Sequence, residues 1–233
     1  MMSAPPTPSH AEGPQVDKRH YTDLDYLKAG RMASLAAQYR EIMVFQPRSV
    51  LEVGRGAGLL QHLLQNSGVR VRAADIDRSL APDVCASVTR LPFRDRSFDV
   101  VGCFQVLEHL PYERFIPALG ELARVARRAV VLSVPDYSLY LQFGFHIPGL
   151  GDRNAVIPIP VWVPGRKNSF DGQHHWEIGW KGRSLRSILR DMSRAKPREV
   201  VSPQGKHVPS FFRDRASIGK GGRRPWQRQV KKK

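Results

Sequence analysis

The stretch Ser49 to Gly58, Ser-Val-Leu-Glu-Val-Gly-Arg-Gly-Ala-Gly, leaves the chain few folds to choose from. Val50, Leu51 and Val53 form a short β-branched and apolar run that reads as a buried parallel strand. The run carries Glu52 and exits into glycines at alternate positions, Gly54, Gly56 and Gly58. Leu59 to Gln65 follows with helical character. A strand, a glycine turn and a helix make one half of a nucleotide-binding βαβ unit. Glycine is required where the backbone turns with positive φ and comes within van der Waals reach of a ligand. The N–H groups opening the helix add a weakly positive end to the same cleft. A dinucleotide fingerprint, G-x-G-x-x-G, needs glycine at position 59, where Leu59 stands. The pattern here is E-x-G-x-G-x-G.

The second strand, Val69 to Ala74, closes on Asp75-Ile76-Asp77. Asp75 falls 21 residues after Gly54, the distance at which a βαβ unit places a carboxylate on a ribose. Such an acid accepts from both ribose hydroxyls, each charge-assisted bond contributing roughly 1.5–3 kcal/mol. Only Arg78 to Asp83 separate it from a third strand at 84–87, whereas a parallel crossover usually takes about a dozen residues or more. The sheet is therefore expected to be shortened at that edge.

Further on stands Leu91-Pro-Phe-Arg-Asp-Arg-Ser-Phe-Asp-Val-Val-Gly-Cys-Phe-Gln-Val-Leu-Glu-His-Leu. A turn at 94–97 leads into a strand over 98–104, which ends at Gln105 with Glu108 and His109 just beyond. The two segments, in this order and spacing, resemble the first motif and the L-P-F-x-D-x-S-F-D-x-V…V-L-E-H-L segment of small class I S-adenosylmethionine-dependent methyltransferases of type 11. The resemblance covers roughly residues 45–212, with motif-level specificity at 49–58, 75 and 87–110. It implies a doubly wound, Rossmann-like α/β fold with a mostly parallel seven-stranded sheet. An antiparallel terminal hairpin, from Glu199 to Ser202 and His207 to Phe212, would close that sheet. It implies S-adenosylmethionine as cofactor, held by Glu52, Gly54, Arg55, Gly56, Gly58, Asp75, Ile76, Ser87, Val88 and Gln105. Glu52 suits the methionine ammonium, and Gln105 the carboxylate end. The family usually carries an acid for the adenine amino group four residues before L-P-F. Here that residue is Ser87, so adenine recognition leans on a hydroxyl, on backbone N–H groups near Val88 and on stacking.

The remaining elements follow from periodicity. Met32, Leu35, Ala36, Tyr39, Ile42 and Met43 mark one face of a helix over about 23–45, which either packs on the sheet or also covers the cleft. Gly30 kinks it or delays its start. A helix over about 113–127 carries Phe115, Leu119, Leu122 and Ala126 on one face, with Pro117 tolerated only in its first turn. A fifth strand spans 129–134 and a short helix 183–192. Residues 137–180 are long for a connection and rich in proline and aromatic groups, the mark of a functional lid or binding segment. Within it, Phe170 to Trp180 is similar to a D-G-x-H-x-W-E-I-G segment of bacterial methyltransferases of this small type.

The formal charge is +16, unevenly placed. Residues 181–233 hold 17 Lys and Arg against three acids, a net of +14, while the other 180 residues come to +2. Residues 1–18 read as a disordered leader, 19–213 as one methyltransferase domain and 214–233 as a basic disordered tail. The tail is either a solvated end or a contact for nucleic acid or an acidic surface. Two cysteines, Cys85 and Cys103, are too few for a disulfide framework and suit a reducing cytoplasm. No signal peptide or membrane span is expected.

The chemistry implied is alignment of a nucleophile with an already electrophilic methyl, helped by a base when the acceptor must lose a proton. His109 is one candidate base, and His174 and His175 are others if the long segment folds over the cleft. Methylation of nucleobase amino groups calls for Asp or Asn before Pro-Pro, where this chain has Gln105-Val-Leu-Glu. Methylation of pyrimidine carbon calls for Pro-Cys, and neither cysteine follows proline. No Cys/His cluster has zinc spacing, so no metal is expected. The leading expectation is an O- or N-methyltransferase acting on a small-molecule, lipid-linked or glycan-type acceptor. The alternatives are an RNA- or ribosome-associated methyltransferase using the basic region, or a cofactor-binding protein without catalysis.

Overall fold

The computed structural model describes residues 13, 18–21, 23–136, 140–149, 151–158, 173–180, 182–194 and 200–201. Most of the expected leader and the whole basic tail lie outside the described residues. So does the expected strand His207 to Phe212.

A single sheet organises the domain, in the order β3-β2-β1-β4-β5-β8. Its members are β1 (Ser49–Val53), β2 (Arg70–Asp75), β3 (Val84–Cys85), β4 (Phe98–Phe104), β5 (Ala126–Ser133) and the two-residue β8 (Val200–Val201). Every pairing in it is parallel. The α/β Rossmann-like expectation holds, carried by five strands and the short β8. Neither seven strands nor the antiparallel terminal hairpin is seen among the described residues, and Val200–Val201 runs parallel to Val130–Val131.

Apart from an irregularity between Phe98 and Val100, the strands alternate between two cores, as period-2 side chains do. Val50, Val100 and Val131 face α1 (Ala29–Met43) and α2 (Leu59–Asn66), packing with Ile42, Leu60 and Leu64. Leu51, Val53, Val101 and Cys103 face the other way, toward α3 (Phe115–Val125) and α4 (Leu185–Arg194). Helix α1 begins at Ala29, later than its apolar pattern suggests. It buries Leu35, Gln38 and Ile42 and leaves Met32 exposed. Pro117 sits in the first turn of α3, where its missing N–H has no partner to lose.

The shortened edge is real. Only a 3-10 turn at Arg78–Leu80 lies between β2 and β3, and β3 pairs through two residues. The segment expected to be one long lid contains an antiparallel hairpin, β6 (Tyr140–Ile147) with β7 (Gly151–Pro158). Its other described part, 173–180, packs into the core: Trp176, Ile178 and Trp180 are all buried. No helix among the described residues is long and apolar enough to cross a membrane.

The Leu91-to-Phe98 segment is held by one cation. Arg124 donates to the carbonyls of Leu91 (3.1 Å) and Phe93 (2.8 Å) and to the carboxylates of Asp95 (2.7 Å) and Glu121 (2.7 and 2.8 Å). Glu121 in turn accepts from the Leu91 N–H at 2.8 Å. The Arg124 hydrogen bonds hold the Glu121 carboxyl below its ordinary range against the opposing effect of burial. Arg124→Ala is expected to lower unfolding stability by about 2–3 kcal/mol in urea titrations. Because the native Glu121 pKa is depressed, its contribution is full above about pH 4.5 and is lost as pH falls through the native value. The variant should therefore lose less stability than wild type over that acid window, read from unfolding midpoints.

Candidate cofactor and acceptor site

Strands β1 and β2 end side by side, Val53 paired with Ala74, so the glycine turn and Asp75 leave the sheet together. Gly54, Gly56 and Gly58 all take positive φ, at 84°, 50° and 72°. At Gly54 the demand is also spatial: a Cβ would collide with Val106 Cγ2, on the loop leaving β4. The first strand's exit thus touches the fourth strand's exit, as at a switch point of an open α/β sheet.

Asp75 clamps this arrangement. One of its oxygens accepts from the Arg55 N–H at 2.7 Å and, more weakly, from the Gly56 N–H at 3.4 Å; the other accepts from the Asp77 N–H at 2.9 Å. Glu52 is different. It is buried, and its Oε2 has no hydrogen-bond partner among the described residues. Burial pushes its carboxyl up to about 8, although the Arg55 charge and the Gln61 N–H at the start of α2 pull the other way. The Arg55 guanidinium lies against Gly58 and is fixed by Gln61 Oε1 (3.0 Å) and the Leu80 carbonyl (2.6 Å).

The other expected cofactor residues are close in the chain but differently engaged. Ile76 leads off β2, its carbonyl facing the Cys85 thiol at 3.5 Å. The Ser87 hydroxyl lies 2.8 Å from that of Thr89 and accepts the Thr89 N–H at 3.2 Å, so it shapes its own turn. Val88 is buried in the core. Gln105 takes φ 54°, and its backbone N–H and side-chain amide both reach Ser133 on β5. A non-glycine residue with positive φ at a strand exit marks a position that the surroundings over-determine.

Two walls flank these strand exits. Tyr21 and Tyr26, from 3-10 turns ahead of α1, lie over the glycine turn: a Cβ on Gly56 would stand 3.2 Å from Tyr21 Cε1 and 3.5 Å from the Tyr26 hydroxyl. The Tyr21 hydroxyl is pushed up to about 12 by burial and then by the Asp75 charge. Neither tyrosine is singled out by sequence reasoning, because nothing periodic marks a short turn before a helix. The second wall is 173–180. His175 N–H donates to the Glu108 carbonyl at 2.8 Å, and Ile178 N–H to that of Pro135 at 3.0 Å. Trp176 is wedged against Phe115 and Tyr112. This brings His174 to His109, ring centroids 5.1 Å apart, with the fully buried Glu108 beside them. His109 and His174, far apart in sequence, thus share one site. Glu108 joins them as a functional candidate whose visible signal is the Glu-His pair after β4. Burial pushes its carboxyl up to about 8.

Residues 51–134 match the family model described as a methyltransferase domain. Over those residues the chain carries a methyltransferase domain. Among curated relatives, an uncharacterized protein of Methanocaldococcus jannaschii is 43% identical over 44 residues, 19% of this chain and 18% of that protein. Among solved structures, a protein of Pyrococcus horikoshii OT3 is 18% identical over 48% of this chain and 62% of its own, with a TM-score of 0.41. The 1,6-didemethyltoxoflavin-N1-methyltransferase of Burkholderia thailandensis is 17% identical over 76% and 72%, with a TM-score of 0.45. The chain thus spans less than two thirds of the first two relatives. For this methyltransferase domain the fit of the cofactor rests on the buried Glu52 oxygen without a partner, while Val106, Tyr21 and Arg55 side chains stand beside the three glycines.

Gly54→Ala should destabilise the domain and abolish cofactor binding, and adding Val106→Ala should recover only the steric part, since positive φ still costs about 1–2 kcal/mol; thermal unfolding of both variants reads this. Because the native Glu52 pKa is raised, the unfolded chain ionises first and stability falls as pH rises from about 4.5 toward 8. Glu52→Gln should remove part of that fall and unfold at a higher temperature than wild type at pH 8.

Proposed function

We propose that the protein transfers a methyl group from S-adenosylmethionine to an O or N nucleophile of a small-molecule, lipid-linked or glycan-type acceptor. The observation that carries this reading is the coupling of a positive-φ glycine turn to two unlike carboxyls, Asp75 accepting backbone N–H groups from both strand exits and Glu52 buried with an unpartnered oxygen. In this reading the cofactor lies along Gly54, Arg55, Gly56 and Gly58. Its ammonium meets Glu52, which ionises as the cation arrives. A carboxylate offers about four acceptor positions. Asp75 makes two short bonds and one long one, which leaves it capacity for a ribose hydroxyl. Ile76, Ser87 and Val88 border the adenine, and Gln105 the methionine carboxylate. The methyl then points toward the edge where His109 and His174 stand, with residues 173–180 walling the acceptor. There the protein aligns the nucleophile, excludes water and offers imidazole nitrogen for the departing proton. Gln105-Val-Leu-Glu in place of an Asp/Asn-Pro-Pro run argues against nucleobase amino groups as acceptors.

The charge asymmetry favours a second reading, an RNA acceptor retained by the basic C-terminal quarter. Truncation after Arg213 together with a salt titration separates the two, because phosphate contacts release counterions and weaken steeply with salt.

Isothermal titration with S-adenosylmethionine tests the cofactor reading. Gly56→Val should abolish binding, and Asp75→Ala should weaken it about tenfold or more. Binding near pH 7 should release protons as Glu52 ionises, seen as a dependence of the heat on buffer ionisation enthalpy that Glu52→Gln removes. Unchanged affinity in Gly56→Val and Asp75→Ala would mean the cofactor binds elsewhere.

A further inference from the structure

We propose that Glu108, His109 and His174 form a binding site for one divalent first-row transition cation at the carboxyl edge of β4. One ligand atom from each, a carboxylate oxygen and two imidazole nitrogens, lies within 4.8 Å of the others. Around a tetrahedral ion with bonds of about 2.0–2.2 Å, ligand atoms stand about 3.4 Å apart, so side-chain rotation of roughly 1 Å completes the set.

The independent observation is Glu108. Its side chain is fully buried, and neither carboxyl oxygen has a hydrogen-bond partner among the described residues. A buried acid is ordinarily paired, hydrogen-bonded or bound to a metal. The fold keeps this one in place rather than letting it reach solvent: Leu107 beside it is core, and the Glu108 carbonyl is tied to His175 N–H.

The histidines are arranged as metal ligands are. His109 Nδ1 stands 3.0 Å from the Gln173 carbonyl, which can only accept, so the proton sits on Nδ1 and the lone pair on Nε2. His174 Nδ1 stands 2.6 Å from Glu177 Oε1, which fixes the same tautomer by a carboxylate. Metal-ligating histidines almost always donate their other ring N–H in this way, and the acceptor raises ligand basicity and orients the ring. The two rings are tilted by 54° rather than stacked. Trp176, packed on Phe115, holds the segment bearing His174 against the one bearing His109.

Two imidazoles and one carboxylate select zinc, cobalt, nickel, iron or manganese over magnesium or calcium. Three protein ligands leave at least one position for an oxygen donor, the mark of a catalytic rather than a structural site. Resting on the reading of this edge as the acceptor side, the oxygen donor is the acceptor hydroxyl. A divalent ion beside it lowers the pKa of the hydroxyl so that its proton passes to solvent, and His109 and His174 then serve as ligands in place of acting as bases.

The test uses the full chain, stripped with chelator, dialysed and titrated with Co2+ by visible absorption and with Zn2+ by calorimetry, without cofactor. One Co2+ per chain, with a ligand-field band that disappears in His109→Ala/His174→Ala and weakens at least tenfold in Glu108→Gln, is the expected result. Glu177→Gln should lower affinity about tenfold. His62→Ala, on the exposed face of α2, should bind as wild type does. Wild-type protein without a stoichiometric Co2+ band overturns the site whether or not the variants fold, and so does Zn2+ binding equal in wild type and the double histidine variant. Glu108→Gln should keep its affinity for S-adenosylmethionine. A chain that binds the cofactor but no metal sinks this proposal alone, whereas one that binds metal but no cofactor sinks the cofactor reading and leaves the site standing.

Discussion

The carboxylate of Asp75 holds together the two strand ends on which this structure turns. A glycine turn that opens a helix leaves several N–H groups without intrahelical partners. Asp75 takes two of them from the neighbouring strand and a third from its own exit. The interaction exists only because β1 and β2 pair in parallel with Val53 opposite Ala74. A register slip of one residue would turn the acid to the other face and leave the turn unclamped. Gly54 carries the constraint one strand further, since its lack of a Cβ lets Val106 close over the same point. Three strand exits are thus locked to one another by one acid and one missing methyl group.

Against that satisfied acid stand two that are not. Glu52 and Glu108 are both buried, both pushed up to about 8 by burial, and both have carboxyl oxygen without a partner. Asp99, at the opposite end of the sheet, shows what a structural acid looks like here. It accepts from the N–H groups of Arg48 and Ser49 and from Arg127, and these outweigh burial to hold it below its ordinary value. A fold able to supply donors to Asp99 and Asp75 could have supplied them to the other two. Unsatisfied polar groups placed at the ligand-binding edge of an α/β sheet are the stability sacrificed for a site.

How much of this could be read in advance follows from the range of the forces involved. The β1–glycine turn–α2 unit, Asp75, the abbreviated third edge and β4 are set by local pattern, and each falls within a residue or two of its expected position. The seven-stranded sheet went beyond the residues themselves. It came from resemblance, and the described chain shows a parallel β8 where a hairpin was expected. Tyr21 and Tyr26 were illegible because their position depends on where the chain before α1 crosses the sheet. The joining of His109 with His174 was half legible. Both residues stood out as candidates, but only burial of Trp176, Ile178 and Trp180, a tertiary event, could bring them together. The same aromatic run reads as part of a lid or binding segment, and in the structure those three residues are packing.

That difference in how the two walls are held decides which of them can yield. Trp176 is buried against Phe115 and Tyr112, and Tyr112 is itself stacked on Phe115, capped by the Arg183 guanidinium at 3.6 Å and bonded to Asp191 at 2.9 Å. Moving this wall means opening a core, and removal of a side chain like Trp176 costs about 3–5 kcal/mol. Tyr21 and Tyr26 are only half-buried and are held by edge contacts with each other and with exposed His20, plus Arg31 over the Tyr26 ring. Ring contacts of this kind contribute about 0.5–1.5 kcal/mol each. In the proposed reading, a nucleoside entering along Gly56 therefore displaces the tyrosines well before it displaces the tryptophan. In that reading the site opens on the side of Tyr21 and Tyr26, while the side that bears Glu108, His109 and His174 is backed by the Trp176 core.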